Sequence, residues 1–396
     1  MKTHICLVSD QPLPNVIPAL HEKIDHIVLL SSPEMIKNRN LLQRFFKERN
    51  VKVSLFEIDA YDFNLTLAVC KKMLDDNNGE DLTLNLTGGT KMAALAAWQQ
   101  CWFSTKKVRI IYVDTANRLL HELGDHLTSE LLPANLLTVK EYLVCFGKKM
   151  LKNEEKKSRR EKKRRQATAE LASFLVHNPN LQRKINRIVS EYENQSKKRT
   201  ASPYLYIDPE VLGKKGERFC TILLKTGIGT KGLDGGINLN SEKDRFYVGG
   251  GWLEEFVYDQ IDEQRIPDID LHMNVHIAWL QQEGKTVQNS NGPTTNELDV
   301  VFTWQNRLHV ISCKTSAIDQ IGGKVKGKDA LYELDSLHAK IGGTYARAML
   351  VSVHSLNTAS RKRAQDMGIE IITGPELLRF SHHLEEKWGI REPHTD

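Results

Sequence analysis

Apolar residues in the first 135 positions fall into short continuous runs at 5–8, 27–30, 51–58, 82–86 and 108–113. Runs of this length, bounded by polar turns, predict buried strands. Between them, residues 40–48, 65–74 and 91–103 carry apolar positions at helical spacing. This βαβ alternation predicts a parallel sheet with helices on both faces, and such sheets bind ligands at the carboxyl ends of their strands. From 136 to 198 the chain is helical in pattern, poor in glycine and broken at Asn178, Pro179 and Asn180. Beyond Pro203 the pattern changes again. It predicts strands at 219–224 and 245–248, a helix over 252–263, a strand at 271–279 and a hairpin over 297–314. A helix at 329–337, a strand at 348–353 and a last helix and strand through Ile372 follow. The expected architecture is α/β throughout: a Rossmann-like sheet over 1–135, a basic helical connector over 136–202, and an α/β domain with a mixed sheet over 203–396.

Composition fits that division. The chain has 396 residues, 40% of them hydrophobic, enough for two or three domains with cores of their own. No apolar run approaches the length of about 18 residues that spans a bilayer, so no membrane is expected and the protein reads as cytoplasmic. The six cysteines form no CxxC pair, which predicts reduced core thiols. Net charge is +5, yet the stretch from Lys148 to Arg165 alone holds eleven basic and three acidic residues. It reads as a solvated helix face with Glu155–Arg159 and Glu161–Arg165 pairs, or as a stripe that contacts phosphates.

Two constellations carry chemistry. The strand at 82–86 runs into Thr87, Gly88, Gly89, Thr90 and Lys91, after which a helix opens. Glycines let backbone N–H groups approach an anion, threonines add hydroxyls, and Lys91 stands at the positive end of the helix dipole. The GxxxxGK[ST] spacing of a P-loop is absent. With Asn85 and Met92, this loop resembles the signature of CARF domains, Rossmann-like sensors of cyclic oligoadenylates in type III CRISPR defence. Ser9, Asp10 and Gln11 after the first strand, and Ser31 and Ser32 after the second, match that family's other ligand-facing loops. The resemblance implies a homodimer cradling one cyclic ring, with cyclic tetra-adenylate the commonest ligand. A separate GxGxxG at Gly227, Gly229 and Gly232 lacks a following helix pattern and reads as a hairpin or loop.

The second constellation lies in the hairpin. A two-residue turn at Gln305 and Asn306 pairs Trp304 with Arg307, which opposes Asp299 to Ser312 and Glu297 to Lys314 on one face. A carboxylate beside a lysine on such a face suits metal-assisted phosphodiester hydrolysis or, more plainly, a surface salt bridge. Asp299 with Ser312, Cys313 and Lys314 resembles the PD-(D/E)xK core of restriction-endonuclease-like nucleases, and residues 250–255 resemble the helix that precedes it. The resemblance implies Glu254, Asp299 and Lys314 as catalytic residues, with Glu255 in reserve. A Mn²⁺ or Mg²⁺ ion would be held by Glu254, Asp299 and the Cys313 backbone carbonyl, with Glu297 as a further source of charge. Ser312 stands where the family usually has Asp or Glu. His272 and His276 sit on one strand about 13 Å apart, which rules out shared ligation, and Arg361, Lys362 and Arg363 read as a solvated helix face.

Taken together, the order resembles CRISPR ancillary nucleases: a sensor whose ligand switches a metal-dependent endonuclease acting on single-stranded DNA or RNA or on nicked duplex DNA. Its rivals are a catalytically inactive, ligand-controlled nucleic-acid-binding protein, for which Ser312 argues, and a nucleotide-dependent metabolic enzyme, which lacks an acid/base pair near the Thr87–Lys91 loop.

Overall fold

The computed structural model describes residues 1–77, 81–152, 162–197, 204–279, 288–289, 292–293, 295–317 and 326–390. The N-terminal domain alternates β1 (Lys2–Leu7), α1 (Leu13–Glu22), β2 (His26–Ser31), α2 (Ile36–Lys47), β3 (Lys52–Glu57), α3 (Phe63–Asp76), β4 (Asp81–Asn85), α4 (Lys91–Trp102) and β5 (Val108–Asp114). An antiparallel hairpin, β6 (Leu119–Glu122) and β7 (Thr128–Leu131), closes the sheet, whose order is β3-β2-β1-β4-β5-β6-β7. The first five strands are mutually parallel. β1 lies at the centre, flanked by β2 and β4, so the loops leaving these three strands emerge side by side at one sheet edge.

The C-terminal domain is built on a six-stranded mixed sheet. Its members are β8 (Lys148–Lys152), β12 (Asp270–Trp279), β15 (Thr295–Trp304), β16 (Arg307–Lys314), β17 (Arg347–Ser352) and β18 (Ile369–Thr373), in the order β18-β17-β16-β15-β12-β8. Between β8 and β12 come α6 (Lys162–Val176), α7 (Pro179–Lys197), β9 (Leu205–Ile207), α8 (Pro209–Leu212), α9 (Gly216–Lys225), β10 (Thr230–Lys231), β11 (Ile237–Leu239), α10 (Glu242–Phe246) and α11 (Trp252–Asp262). A two-residue pair, β13 (Gln288–Asn289) and β14 (Gly292–Pro293), precedes β15. α12 (Lys326–Gly342), α13 (Thr358–Asp366) and α14 (Phe380–Trp388) complete the domain. α5 (Val139–Cys145) lies at the seam, closed by a capping box between Thr138 and Glu141.

Three sequence expectations change. The helical connector over 136–202 is not a layer of its own. β8 joins the C-terminal sheet as its edge strand against β12, and α6 and α7 place Leu171, Leu175, Ile185 and Val189 in that domain's core. Residues 153–161 of the basic stretch, with the Glu155–Arg159 pair and Glu161, lie outside the described residues, while Arg165 pairs with Asp259 and Asp262. The strand expected at 219–224 is α9, whose Phe219, Cys220, Ile222 and Leu223 are buried on one side. Likewise 245–248 belongs to α10 and a wide helical turn over 247–251. In both places a short apolar run is equally compatible with a buried helix stripe, and tertiary packing decides. The Gly227–Gly232 stretch is the expected hairpin, β10 against β11.

One hydrophobic cluster joins the two domains. Leu13, Val16, Ile17, Leu42 and Phe45 of the first pack with Val275, Val301, Leu308, Leu331 and Ile341 of the second, around α5. Asn306 pins the seam: its N–H donates to Ala134 O (3.0 Å), its Nδ2 to Pro133 O (2.6 Å), and its Oδ1 accepts from Leu136 N (2.8 Å). All six cysteines are free and buried.

Candidate functional site

At the edge of the N-terminal sheet, the sequence-predicted residues of three loops stand together. Asn85, fully buried, donates to Pro14 O (2.7 Å) and accepts from Thr87 N and Thr87 Oγ1 (3.0 and 2.7 Å), which fixes the start of the β4 loop. A Cβ on Gly88 would collide with the Leu7 carbonyl oxygen, and Gly89 holds φ +78°, so both positions favour glycine for different reasons. Thr90 caps α4 by accepting from Ala93 N (3.2 Å), leaving Lys91 exposed on the first turn. Ser9 braces its own turn by donating to Gln11 O (3.2 Å), and Asn38 of α2 ties Ser9 O and Asp10 Oδ1 (3.1 Å each). Two polar atoms here, Gln11 Oε1 and Ser31 Oγ, are buried without a hydrogen-bond partner among the described residues. Ser32 is buried beside them in sequence. The ring of amides, hydroxyls and one lysine suits a phosphodiester.

Gln11 reaches further than the sequence suggests. Its side-chain amide packs against Gly343, directly after α12 and in the other domain, so closely that any side chain there would strike it. Gly343 itself has φ +56°. No local signal in the sequence marks this contact, because the two residues meet only through the packing of two domains.

In the C-terminal sheet the hairpin register is the expected one, Trp304 opposite Arg307, with Gln305 and Asn306 both in the left-handed region (φ 53° and 58°) as a tight hairpin turn demands. This brings Asp299 to β16: Asp299 Oδ2 accepts from Cys313 N (2.7 Å) and Ser312 Oγ (3.2 Å), and Lys314 Nζ stands 3.8 Å away. Glu297 faces His276 across β12 at 3.8 Å, while His272 pairs with Asp270, so the two histidines serve separate carboxylates. Glu297, Asp299, Ser312 and Lys314 line one cavity of ≈40 Å³, walled on the far side by Ala330, Glu333, Leu334 and Leu337 of α12. The helix wall is a part of the site that its sequence pattern did not announce.

Glu254 arrives from α11. Three consecutive glycines, Gly249 to Gly251, let the chain run close to Thr315, whose Oγ1 donates to Gly249 O (3.0 Å), and this sets the first turn of α11 against the end of β16. Glu254 Oε2 is buried with no hydrogen-bond partner among the described residues, and the Glu254 pKa is raised to about 9 by burial first, then by Asp299 and Glu297. Lys314 pulls in the opposite direction. Its neighbour Glu255 turns away to a forked pair with Arg164 (2.9 Å). An orphaned buried carboxyl facing a second carboxylate fits a divalent cation. Among the described residues no three His, Cys, Asp or Glu side chains gather closely enough to hold one by themselves.

A phosphate-cradling sheet edge fused to a carboxylate and lysine hairpin defines a class: a CARF sensor joined to an endonuclease of restriction-enzyme type. Comparison with known proteins agrees. Residues 3–142 match the Card1 CARF domain, and residues 240–390 match the Card1-like endonuclease domain. With these two domains making up most of its length, the chain belongs to the Card1 family of CRISPR nucleases. Its fold is shared over 98% of each chain with protein VC1899 from Vibrio cholerae (22% identity, TM-score 0.80). It also matches Can2 from Sulfobacillus thermosulfidooxidans, solved in complex with cyclic tetra-adenylate, at 26% identity and TM-score 0.74 over 98% of this chain and 99% of that one. A type III CRISPR defence DNA nuclease activated by cyclic oligoadenylate shares the fold at 17% identity and TM-score 0.54, over 97% of this chain and 52% of that one. No curated protein matches the sequence.

Proposed function

We propose that this protein is a nuclease of type III CRISPR defence, dependent on Mn²⁺ or Mg²⁺ and switched on by cyclic tetra-adenylate. The observation that carries the reading is that Asp299 and Lys314 meet on one small cavity, while the buried carboxyl of Glu254 feels the charges of Asp299 and Glu297 and has one oxygen without a hydrogen-bond partner among the described residues. Glu254, Asp299 and the Cys313 carbonyl would hold the cation, and Glu297 would add charge from β15. The cation supplies electrophilic polarisation of a phosphodiester. Lys314 then holds and orients the attacking water, and its ammonium offsets the charge that gathers on the phosphate. Ser312 keeps Asp299 in place through its hydroxyl, where a carboxylate would add a further ligand.

The activator is read from the sheet edge and from Can2, which is held with that ring. Ser9, Asp10, Gln11, Ser31, Ser32 and Thr87 to Lys91 would receive its phosphates. A second copy of the chain would complete the cradle. Beside the Thr90 loop, α3 and α4 with the residues flanking them expose Tyr61, Leu65, Met92, Leu95, Trp102 and Phe103, an apolar face whose burial against its own copy would bring two ligand loops together. The switch is read from two facts. The cavity beside Asp299 and Lys314 is walled by α12, so a shift of that helix would change what can enter it. And the end of α12 rests on Gln11, in the ligand loop itself.

Labelled DNA and RNA, incubated with Mn²⁺ or Mg²⁺ with and without cyclic tetra-adenylate, test the reading. Cutting that needs both metal and ring is expected; ring-dependent binding without cutting would instead favour a silent nuclease fold, the role that Ser312 suggests.

A further inference from the structure

β8 begins with a lysine that has no reason, in the catalytic centre or the ligand edge, to be where it is. Lys148 is buried at 3% exposure, its Nζ 3.3 Å from the centroid of the Trp279 ring and donating to Phe146 O (2.9 Å). Lys340, in the last turn of α12, stands over the same ring at 5.8 Å. Lys37, in the first turn of α2, is the third cation, and it and Lys340 are the two charged groups that act on Lys148. Burial, then these two ammoniums, lower the Lys148 pKa to about 7. Among the described residues none of the three takes part in an ion pair. The ring face and the Phe146 carbonyl satisfy part of what the buried ammonium needs, but among the described residues no carboxylate balances the three charges, and an anion would.

The place of the cluster says which anion. Glu333, Leu337 and Lys340 follow one another at i, i+4 and i+7 on α12, so they share a stripe. The first two wall the cavity, and Lys340 lies about 10 Å along the helix axis from Glu333 and about 4.5 Å beyond Leu337. A short length of nucleic-acid strand spans that distance. We propose that Lys37, Lys148 and Lys340 form a phosphate-holding site for the substrate strand, next to the catalytic cavity and built across the seam between the two domains. The site rests on reading the protein as a nuclease. Ammonium groups recognise phosphate without regard to base, so it would fix the strand's path and leave sequence unread.

The other source of the same chemistry is the activator, since Lys37 adjoins Asn38, which braces the ligand loop. The experiment separates the two. Full-length protein carrying Asp299→Asn is titrated with labelled single-stranded DNA or RNA by fluorescence anisotropy over a range of KCl, and with cyclic tetra-adenylate by calorimetry. The same measurements are made with Lys37→Gln, Lys340→Gln and the double change, both at exposed positions that leave the core intact. The double variant is expected to bind strand about tenfold more weakly, with a salt slope lower by about 1 to 2, and to bind the activator as before. Unchanged strand affinity and slope, in a protein whose Asp299 form binds and cuts, would overturn the site alone; so would a loss confined to the activator. A protein that neither binds nor cuts any strand would overturn the nuclease reading as well.

Discussion

Glu254 is held in a position that its own charge resists. Burial and the carboxylates of Asp299 and Glu297 keep its proton on to about pH 9. A carboxyl whose folded pKa lies above its unfolded value stabilises the fold fully below the unfolded value, near 4.5, and the contribution is lost as pH rises toward 9. In the metal-free protein, therefore, melting temperature is expected to fall between pH 5 and 9 through this residue, and Glu254→Gln is expected to flatten that slope. Scanning calorimetry in EDTA checks it, and a Glu254→Gln profile as steep as the wild type's counts against the assignment. For Asp299→Ala the expected loss of cleavage rate is roughly 10³-fold, since the carboxylate proposed to hold the cation and the anchor of Ser312 and Cys313 vanish together. At this scale the sequence is informative where local geometry rules. The turn at Gln305–Asn306 fixes which residues oppose Asp299. The sequence is silent on Glu333 and on the packing of Gln11 against Gly343, because these neighbours come from remote parts of the chain.

Among the elements, α12 links the two chemistries, with one end against Gln11 and its middle against the catalytic cavity. Gln11→Ala is expected to weaken binding of the cyclic ring and, at saturating ring, to cut the activation it produces by about a further tenfold, a coupling loss of roughly 1 kcal/mol or more. Parallel calorimetry and cleavage assays decide, and full activation at saturating ring would make Gln11 a plain ligand contact. Gly88→Ala tests the ligand loop itself. The added methyl meets the Leu7 carbonyl, so a destabilisation of about 1–3 kcal/mol and loss of ring binding are expected, read by urea unfolding and calorimetry. The elements of the first domain are legible because parallel strands are continuous apolar runs and their helices keep a clean period. Those of 203–250 are not, because α9 and the turn before α11 are short and buried, where the periods of helix and strand look alike. β8 escapes notice for a related reason: its lysines disguise an edge strand as part of a charged stretch.

For the whole molecule, the exposed stripe of α4 carries the strongest claim. Leu95→Glu together with Phe103→Glu is expected to shift the protein to a monomer in light scattering and to abolish ring binding, while a dimer that survives the pair would place the contact elsewhere. The cluster that spans both sheets has a different consequence. Sensor and effector are often pictured as beads that can be restrung, yet here Leu13, Phe45, Leu308 and Ile341 belong to a single oily seam. Severing the chain there, or grafting another effector onto this sensor, would leave greasy surfaces wet on both pieces. The halves should come out of cells as aggregates unless the graft inherits a matching partner face, and the intact protein should melt in one step.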